Sequence, residues 1–280
     1  MKFRIMSNNQ WWSDRNKPAW EQAGLNCSAD VRVPGFARMF SETDPDIVGL
    51  QECSMYMADL HMRGFSEKGM GYSLLWGRDT PILYKPEKFD VLDHTYLVYP
   101  TAVPGFEGEF NNLNTKSYSI AVLRSKENGK TIVFGTTHLW YMSSNPSWKH
   151  YQAGSDEARV YQLGLMMDRA EELAAKYCCP IVLVGDMNCT VASEALKSAF
   201  ARGYSHARDV AVEYADEGHG MHPCGDAGYG PYVPAGPERA IDHILVKDAP
   251  EGFVRRFVRY NEEYYMPISD HLPVYIDVEM

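Results

Sequence analysis

The sequence predicts an α/β chain folded as one compact domain, residues 1–280. Three observations carry this. Apolar runs of strand length alternate with segments of helical period, and no internal repeat, low-complexity tract or long linker divides them. The 280 residues are enough to bury a sizeable core. A hydrophobic fraction of 45% beside a charged fraction of 23% is the ordinary globular balance.

Residues 3–7 read as a first strand. Residues 36–43 predict a short helix closed by Asp44-Pro45-Asp46, because a residue before proline is pushed out of helical geometry. Residues 47–50 follow as a buried strand. Residues 119–124 and 131–136 flank Glu127-Asn128-Gly129-Lys130, a strong hairpin signal. Across 156–177, Val160, Leu163, Met167, Ala170, Ala174 and Tyr177 recur at three- and four-residue intervals, the stripe of an amphipathic helix. Pro180 stops it, and 181–184 is a fully apolar strand. Two further strands are expected at 241–246 and 274–278. The segment 218–237, dense in Gly and Pro, reads as a long surface loop.

Lys and Arg number 27 against 37 Asp and Glu, a formal charge of −10. This argues against holding long nucleic acid mainly through phosphate charge, which wants a basic surface. It leaves open phosphate chemistry in a site where a metal cation supplies the positive charge. No run approaches the roughly 20 apolar residues of a membrane helix, and the N-terminus has no signal-like core. The six cysteines form no CxxC, and Cys178 and Cys179 are adjacent. A reduced, cytoplasmic chain without a cysteine zinc site is therefore expected.

The informative polar residues follow the apolar strands. Asn8 and Asn9 come after the first, Gln51 and Glu52 after the second, and His138 after 131–137. Asp186 and Asn188 follow 181–185. Asp242-His243 come after Ile241, and Ser269-Asp270-His271 precede the last strand. Layered sheet folds gather functional groups at strand ends. Phosphoester hydrolysis needs such a set: hard oxygens to hold Mg²⁺, a carboxylate to orient or deprotonate water, and donors for phosphoryl oxygens.

In order, Ser7-Asn8-Asn9, Leu50-Gln51-Glu52, Thr137-His138-Leu139, Gly185-Asp186-Met187-Asn188, Ile241-Asp242-His243 and Ser269-Asp270-His271 resemble the motifs of the endonuclease/exonuclease/phosphatase family. The resemblance runs over residues 5–278. It implies a four-layer α/β sandwich, two packed, mainly antiparallel β-sheets flanked by helices, and dependence on Mg²⁺ or Mn²⁺. It also implies roles. Glu52 would be the principal metal ligand, with Asn9 supporting metal and phosphate and Asp270 a further ligand. Asp186 would orient or activate water and Asn188 hold a phosphoryl oxygen. His138 and His271 would bind the developing charge. Asp270 would keep His271 oriented and cationic, and Asp242 would support the histidine network.

Each residue has a structural rival. Asn8 and Asn9 form a turn pair in that view, Asp186 and Asn188 an Asx turn, and His138 a satisfied structural histidine. His243, where relatives often carry Tyr, reads as structural. Arg159 and Gln162 resemble a recurrent family pair and read as a structural salt bridge.

Departures bear on substrate. Abasic-site endonucleases carry an acid two residues after the motif Asn, where this chain has Trp11. In much of the family an Arg precedes the Asp242 position by two residues, where this chain has Ala240, with Arg239 one place earlier. Distinctive instead are aromatics: Trp11, Trp12, Trp140, Tyr141, Trp148, Tyr229 and Tyr232. Asn9, Trp11, Trp140 and Tyr229 are the expected substrate-binding set. The rings either stack on a base, sugar or inositol or pack loops against the sandwich. His219 and His222 read as loop histidines sooner than a second metal site. The expectation is a divalent-metal-dependent phosphodiesterase or phosphatase acting by in-line water attack on a phosphorylated small molecule or short nucleic acid. Neither strong long-DNA binding nor a membrane is expected, and the oligomeric state is open. The alternatives are a DNA or RNA nuclease and a non-catalytic binding module on the same scaffold.

Overall fold

Short runs of Ile, Val and Leu pair laterally into two sheets in the computed structural model. It describes the chain except residues 13, 23, 25, 216–218, 222, 223, 226, 227, 230–232, 236–238 and 266, and only the backbone at 19, 219–221, 224, 225, 228, 229 and 233–235. With strands numbered in chain order, one sheet has seven. Its order is β10 (Glu213–Ala215), β16 (Val254–Arg259), β17 (Val274–Glu279), β1 (Lys2–Asn9), β2 (Ile47–Gln51), β4 (Ile82–Tyr84) and β3 (Ser73–Leu75). The other has six: β5 (Phe89–Val98), β6 (Ser117–Ser125), β7 (Thr131–His138), β8 (Ile181–Asp186), β15 (Asp242–Lys247) and β9 (Ser205–His206). Both sheets are mixed. The pairs β1–β2, β7–β8 and β10–β16 are parallel and the remaining pairs antiparallel.

Period-two alternation explains why the central strands are apolar on both faces. Along β2, Ile47 points into the core between the sheets, while Val48 and Leu50 point outward. Along β8, Val182 and Val184 point inward while Ile181 and Leu183 point outward. The outward faces are covered by helices. Phe36, Met39 and Phe40 of α2 (Ala29–Thr43) and Met57 and Phe65 of α3 (Met55–Glu67) pack on the seven-stranded sheet. Leu163, Met166 and Met167 of α4 (Ser155–Tyr177) and Leu196 of α5 (Glu194–Ala201) pack on the six-stranded one. Helix, sheet, sheet, helix: the chain is a four-layer α/β sandwich. A short α1 (Pro18–Gln22) opens on proline, which suits a first helical position.

Several boundaries differ from the sequence reading. Helix α2 starts at Ala29, seven residues before the predicted 36, and runs through Pro34. Val33, Phe36, Ala37 and Phe40 are buried on one face, and that packing outweighs the one backbone hydrogen bond that proline forfeits. Strands β3, β4, β5, β9, β10 and β16 escaped the sequence pattern. Most are too short to display a period, and β5 is partly buried along nearly all its length. Within 218–237, read as a loop, short strands pair: β11 (His219–Met221) with β14 (Val233–Ala235), and β12 (Cys224–Gly225) with β13 (Gly228–Tyr229).

Strand direction decides where the polar residues go. Strands β1 and β2 run parallel, as do β7 and β8, and all four end at one edge of the sandwich. Strands β17 and β15, antiparallel to β1 and β8, begin there. Two glycines allow the approach. A Cβ on Gly49 would lie 2.5 Å from Thr136 Cβ in the opposite sheet. Gly185 has φ +152°, and a Cβ there would lie 2.1 Å from the Thr137 carbonyl oxygen. Above them, Gln51 Nε2 donates to Thr136 Oγ1 (2.8 Å), joining the sheets beneath the polar edge.

Candidate active site

The strand register sets His138 and Asp242 on either side of Asp186. Asp186 is the hub. Its Oδ2 accepts from Asn9 Nδ2 at 3.0 Å and lies 3.5 Å from His138 Nε2 and 3.7 Å from His271 Nε2. Its Oδ1 accepts the Asn188 N–H at 2.9 Å. Asn9 Nδ2 also reaches Glu52 Oε1 at 3.4 Å, so one amide at the end of β1 bridges Glu52, just after β2, to Asp186, at the end of β8 in the other sheet. Glu52 Oε2 accepts the Trp12 N–H at 2.7 Å. Trp11, Glu52 and Asn188 all have left-handed backbones, φ +52°, +54° and +50°. Such conformations cost a non-glycine residue of order 1 kcal/mol and concentrate where a site needs them.

His271 Nδ1 lies 2.7 Å from Asp242 Oδ2, whereas Asp270 Oδ1 is 3.9 Å from its other nitrogen. This corrects the expectation that Asp270 orients the ring: the antiparallel start of β15 brings Asp242 there instead. Burial opposes charge on His271, but Asp242, Asp186 and Glu52 prevail and lift it to about 10. Burial also works against ionised Glu52. There His138, Lys116, the Trp12 N–H and His271 win and hold it at about 2. Asp186 moves the other way: burial, with Asp242, raises it despite His271, His138 and Lys116.

Two residues of the site escaped the sequence reading. Lys116, almost fully buried, sets its Nζ against His138 Nε2, and the opposite ring nitrogen Nδ1 meets Asp79 Oδ2 at 3.0 Å. Burial lowers the Lys116 ammonium, opposed by Glu52, Asp79 and Asp186. The hairpin register pairs Ser117 with His138. Extending the predicted strand from 119 back to 117 would have put Lys116 beside that histidine. Asp79 lies in a turn without a motif and carried no such signal.

Other expectations are redistributed. Asn8 turns away from the cleft and donates to the Tyr265 hydroxyl at 2.7 Å in the outer layer. Asn188 Nδ2 donates to the Leu139 carbonyl at 3.0 Å. Trp11 is 8% exposed against Trp20 with Arg32 over its ring, and Trp140 is 2% exposed among Val103, Phe110 and Ala158. Both were expected to bind substrate; both pack loops instead, because an indole at a strand end gains more from burial than from facing water. Of the aromatics singled out in the sequence, Trp12, Tyr141 and Trp148 are the exposed ones among the described residues. The side chains of Tyr229, Tyr232, His219 and His222 lie outside the described residues. Arg159 donates to the Trp140 and Met142 carbonyls (2.9 and 2.6 Å) and pairs with Asp156, while Gln162 accepts the Trp140 N–H at 2.8 Å. The pair clamps the segment after His138. His243 is buried in a relay: the Arg208 N–H meets His206 Nδ1, His206 Nε2 meets His243 Nδ1 (3.1 Å), and His243 Nε2 meets the Cys189 carbonyl (2.7 Å). These partners suit two neutral rings that steady the turn carrying Asn188.

Among the described residues, two donor sets converge within 4.8 Å: Glu52, His138 and Asp186, and Asp186, Asp242 and His271. In the second, His271 is cationic and spoken for by Asp242. The first offers a carboxylate held ionised, as a hard divalent cation requires. Asn9, as arranged, gives its Nδ2 to the carboxylates and its Oδ1 to the Trp11 N–H (2.8 Å), so it supports Glu52 as a donor. Asp270 belongs to neither set.

A two-sheet sandwich that gathers carboxylates, an amide and imidazoles at one edge is the architecture of the sandwich-fold phosphoester hydrolases. The chain belongs to the endonuclease/exonuclease/phosphatase family, whose profile matches residues 25–271. Members hydrolyse phosphoesters and generally use divalent metals. No curated protein matches the chain in sequence. Solved structures share the fold. A mannosyl-6-phosphatase from Bacteroides thetaiotaomicron VPI-5482 is 19% identical (TM-score 0.75), over 99% of this chain and 100% of that one. An endonuclease/exonuclease/phosphatase from Bacteroides vulgatus is 20% identical (TM-score 0.74), over 100% and 99%. D. rerio TDP2, complexed with single-strand DNA product, is 16% identical (TM-score 0.66), over 100% and 99%.

Proposed function

We propose that this chain is a divalent-metal-dependent phosphoester hydrolase directing in-line attack of water at phosphorus in a small or short phosphorylated substrate. The observation that carries the reading is the convergence of Glu52, His138 and Asp186 within 4.8 Å, with Asn9 bridging the two carboxylates. Glu52 is held ionised at about 2 while Asp186 is raised. Carboxylates pushed apart in this way divide the roles of anchor and base. Bound at Glu52, Mg²⁺ or Mn²⁺ supplies charge neutralisation at the phosphoryl oxygens.

Asp186, its Oδ1 occupied by the Asn188 N–H, uses Oδ2 to orient water and take its proton. His271, kept cationic and aimed by Asp242, meets the negative charge that develops on phosphorus oxygens. Lys116 and His138 bring a second set of donors from the other side of Asp186, and Asn9 ties the two carboxylates together. Asn188 completes the reading as a phosphoryl-oxygen donor, and Asp270, outside both donor sets, has no metal-binding part in it.

The net charge of −10 supports a small or short substrate over long nucleic acid. The fold neighbours include a mannosyl-6-phosphatase and a protein complexed with a single-strand DNA product, so sugar phosphates and short nucleic acids both belong in the test. No described helix is long and apolar enough to cross a membrane.

The experiment is a panel of sugar phosphates, inositol phosphates, dinucleotides, nucleic acids and phospholipids, with and without EDTA. We expect hydrolysis of a small phosphoester that EDTA abolishes and Mg²⁺ or Mn²⁺ restores. Asp186→Asn should lower kcat by about 10³-fold with an undiminished urea midpoint. Full activity in that variant, or no metal-stimulated hydrolysis across the panel, would overturn the mechanism. Preferential degradation of DNA or RNA, weakening steeply with salt, would shift the assignment to a nuclease.

A further inference from the structure

Arg32 stands in the first turn of α2, on the buried face that Val33, Phe36 and Phe40 share. It is 1% exposed, and its guanidinium lies over the Trp11 and Phe36 rings, 5.1 and 5.8 Å from their centroids. The proposed reaction makes no use of it. A cation taken out of water persists only where strong acceptors meet it. Here main-chain carbonyls do so. Nε donates to Cys27 (2.9 Å), Nη1 to Gln10 and Ile268 (2.6 and 2.9 Å), and Nη2 to Trp11 (2.8 Å).

Three of those carbonyls belong to segments that carry the reaction centre. Gln10 and Trp11 lie between Asn9 and Trp12, and the Trp12 N–H holds Glu52 Oε2. In an extended strand the Gln10 and Trp11 carbonyls would point to opposite edges. The left-handed backbone of Trp11, φ +52°, lets one guanidinium take both. Ile268 opens the run Ser269-Asp270-His271. That turn is seated closely on α2, because a Cβ on Gly35 would lie 2.4 Å from Ile268 Cδ1. Ser269 Oγ donates to the Asn9 carbonyl at 2.7 Å and accepts the His271 N–H at 3.2 Å. The helix, the end of β1 and the turn before β17 thus meet on one planar group.

We infer that Arg32 is a positioning residue for the site. Its guanidinium fixes the 10–12 segment against the 268–271 turn, and so sets the Trp12 N–H on Glu52 and His271 toward Asp186. A planar fork with N–H groups in fixed directions can hold several carbonyls at once. An ammonium on a flexible stem keeps the charge and loses the geometry. The inference rests on the hydrolase reading only for its effect on metal binding and turnover.

The test compares Arg32→Lys with Met39→Ala, which opens a cavity in the same helix and layer. Four quantities are read: the Kd for Mn²⁺ alone by electron paramagnetic resonance, the downfield Nδ1–H resonance of His271, the urea midpoint, and kcat and KM on an ester of the panel. Arg32→Lys should raise the Mn²⁺ Kd about tenfold, displace or broaden the resonance, and lower kcat about tenfold or more with KM little changed. Met39→Ala should lower the urea midpoint and leave the other readings as in the wild type. A wild-type Mn²⁺ Kd or resonance in Arg32→Lys, the same losses in Met39→Ala, or failure of Arg32→Lys to fold overturns the positioning role and leaves the hydrolase reading standing. A wild-type chain that binds no Mn²⁺ or turns over no ester overturns the hydrolase reading instead. The His271 resonance then decides Arg32 alone: altered in Arg32→Lys and kept in Met39→Ala, it upholds the role, and any other pattern overturns it.

Discussion

His271 is charged at neutral pH although it is mostly buried, because Asp242, Asp186 and Glu52 all face it. Only Asp242 also makes a short hydrogen bond to it, and that difference is measurable. Asp242→Asn should abolish the downfield Nδ1–H resonance of His271 and lower kcat/KM by about 100-fold. Asp270→Asn should keep the resonance. The same resonance in both variants would contradict the assignment. From sequence, Asp270 adjoins His271 and was the natural partner. Asp270 and His271 lie in the bend before β17, and the effective partner came from the first residue of β15 in the opposite sheet. The aromatics teach a similar lesson. Their abundance near Asn9 and His138 was legible, but Trp11 and Trp140 turned inward while Trp12 and Tyr141 stayed at the surface. One residue of offset reverses the face, and no composition records it.

At the scale of elements, the site depends on how closely strands approach. Gly185→Ala should be more damaging than Gly49→Ala. The obstacle at 185 is the Thr137 backbone carbonyl, which cannot retreat without breaking the parallel β7–β8 pairing. At 49 the obstacles are the Thr136 Cβ and Oγ1 and a Val184 methyl of the opposite sheet, which yield only if the two sheets separate slightly, without a backbone hydrogen bond being broken. A loss of about 1–3 kcal/mol is expected for Gly49→Ala, and more for Gly185→Ala, read from urea midpoints. Equal midpoints for the two variants would argue against this account. Helix α4 was legible because its stripe, Val160 to Tyr177, spans about five turns, and β2 and β8 because both of their faces are covered. The first two turns of α2 were hidden by Pro34, whose local preference is overruled by burial of Val33 and Phe36. Lys116 was lost with the first two residues of β6. A strand's hydrogen-bonded length depends on its partner, and its own residues do not announce it.

Across the whole molecule, pH acts on buried histidines far from the surface. Burial, with each other and with Arg208 and Arg259 nearby, brings His206 to about 2. Burial likewise brings His243 to about 4, with Arg259 and Arg208 assisting against the Cys189 carbonyl and Asp242. Both values lie below the roughly 6.5 of an unfolded histidine, so the unfolded chain takes up protons first as pH falls. Their contribution to stability is full above about pH 6.5. It declines below that by about 1.4 kcal/mol per pH unit for each ring, until the folded ring itself titrates. The urea midpoint should therefore drop between pH 7 and pH 5, and less so in His206→Asn/His243→Asn. A drop of the same size in that variant would refute the role. The sequence alone determined the family resemblance, and through it the expectation of the sandwich and of most of the polar set, because the motifs are short local runs at strand ends. Only the tertiary structure decided which carboxylate serves which histidine, that Lys116 and Asp79 join the site, and which indoles are buried. Those outcomes depend on register and on packing between sheets, where residues far apart in the chain compete for the same few ångströms.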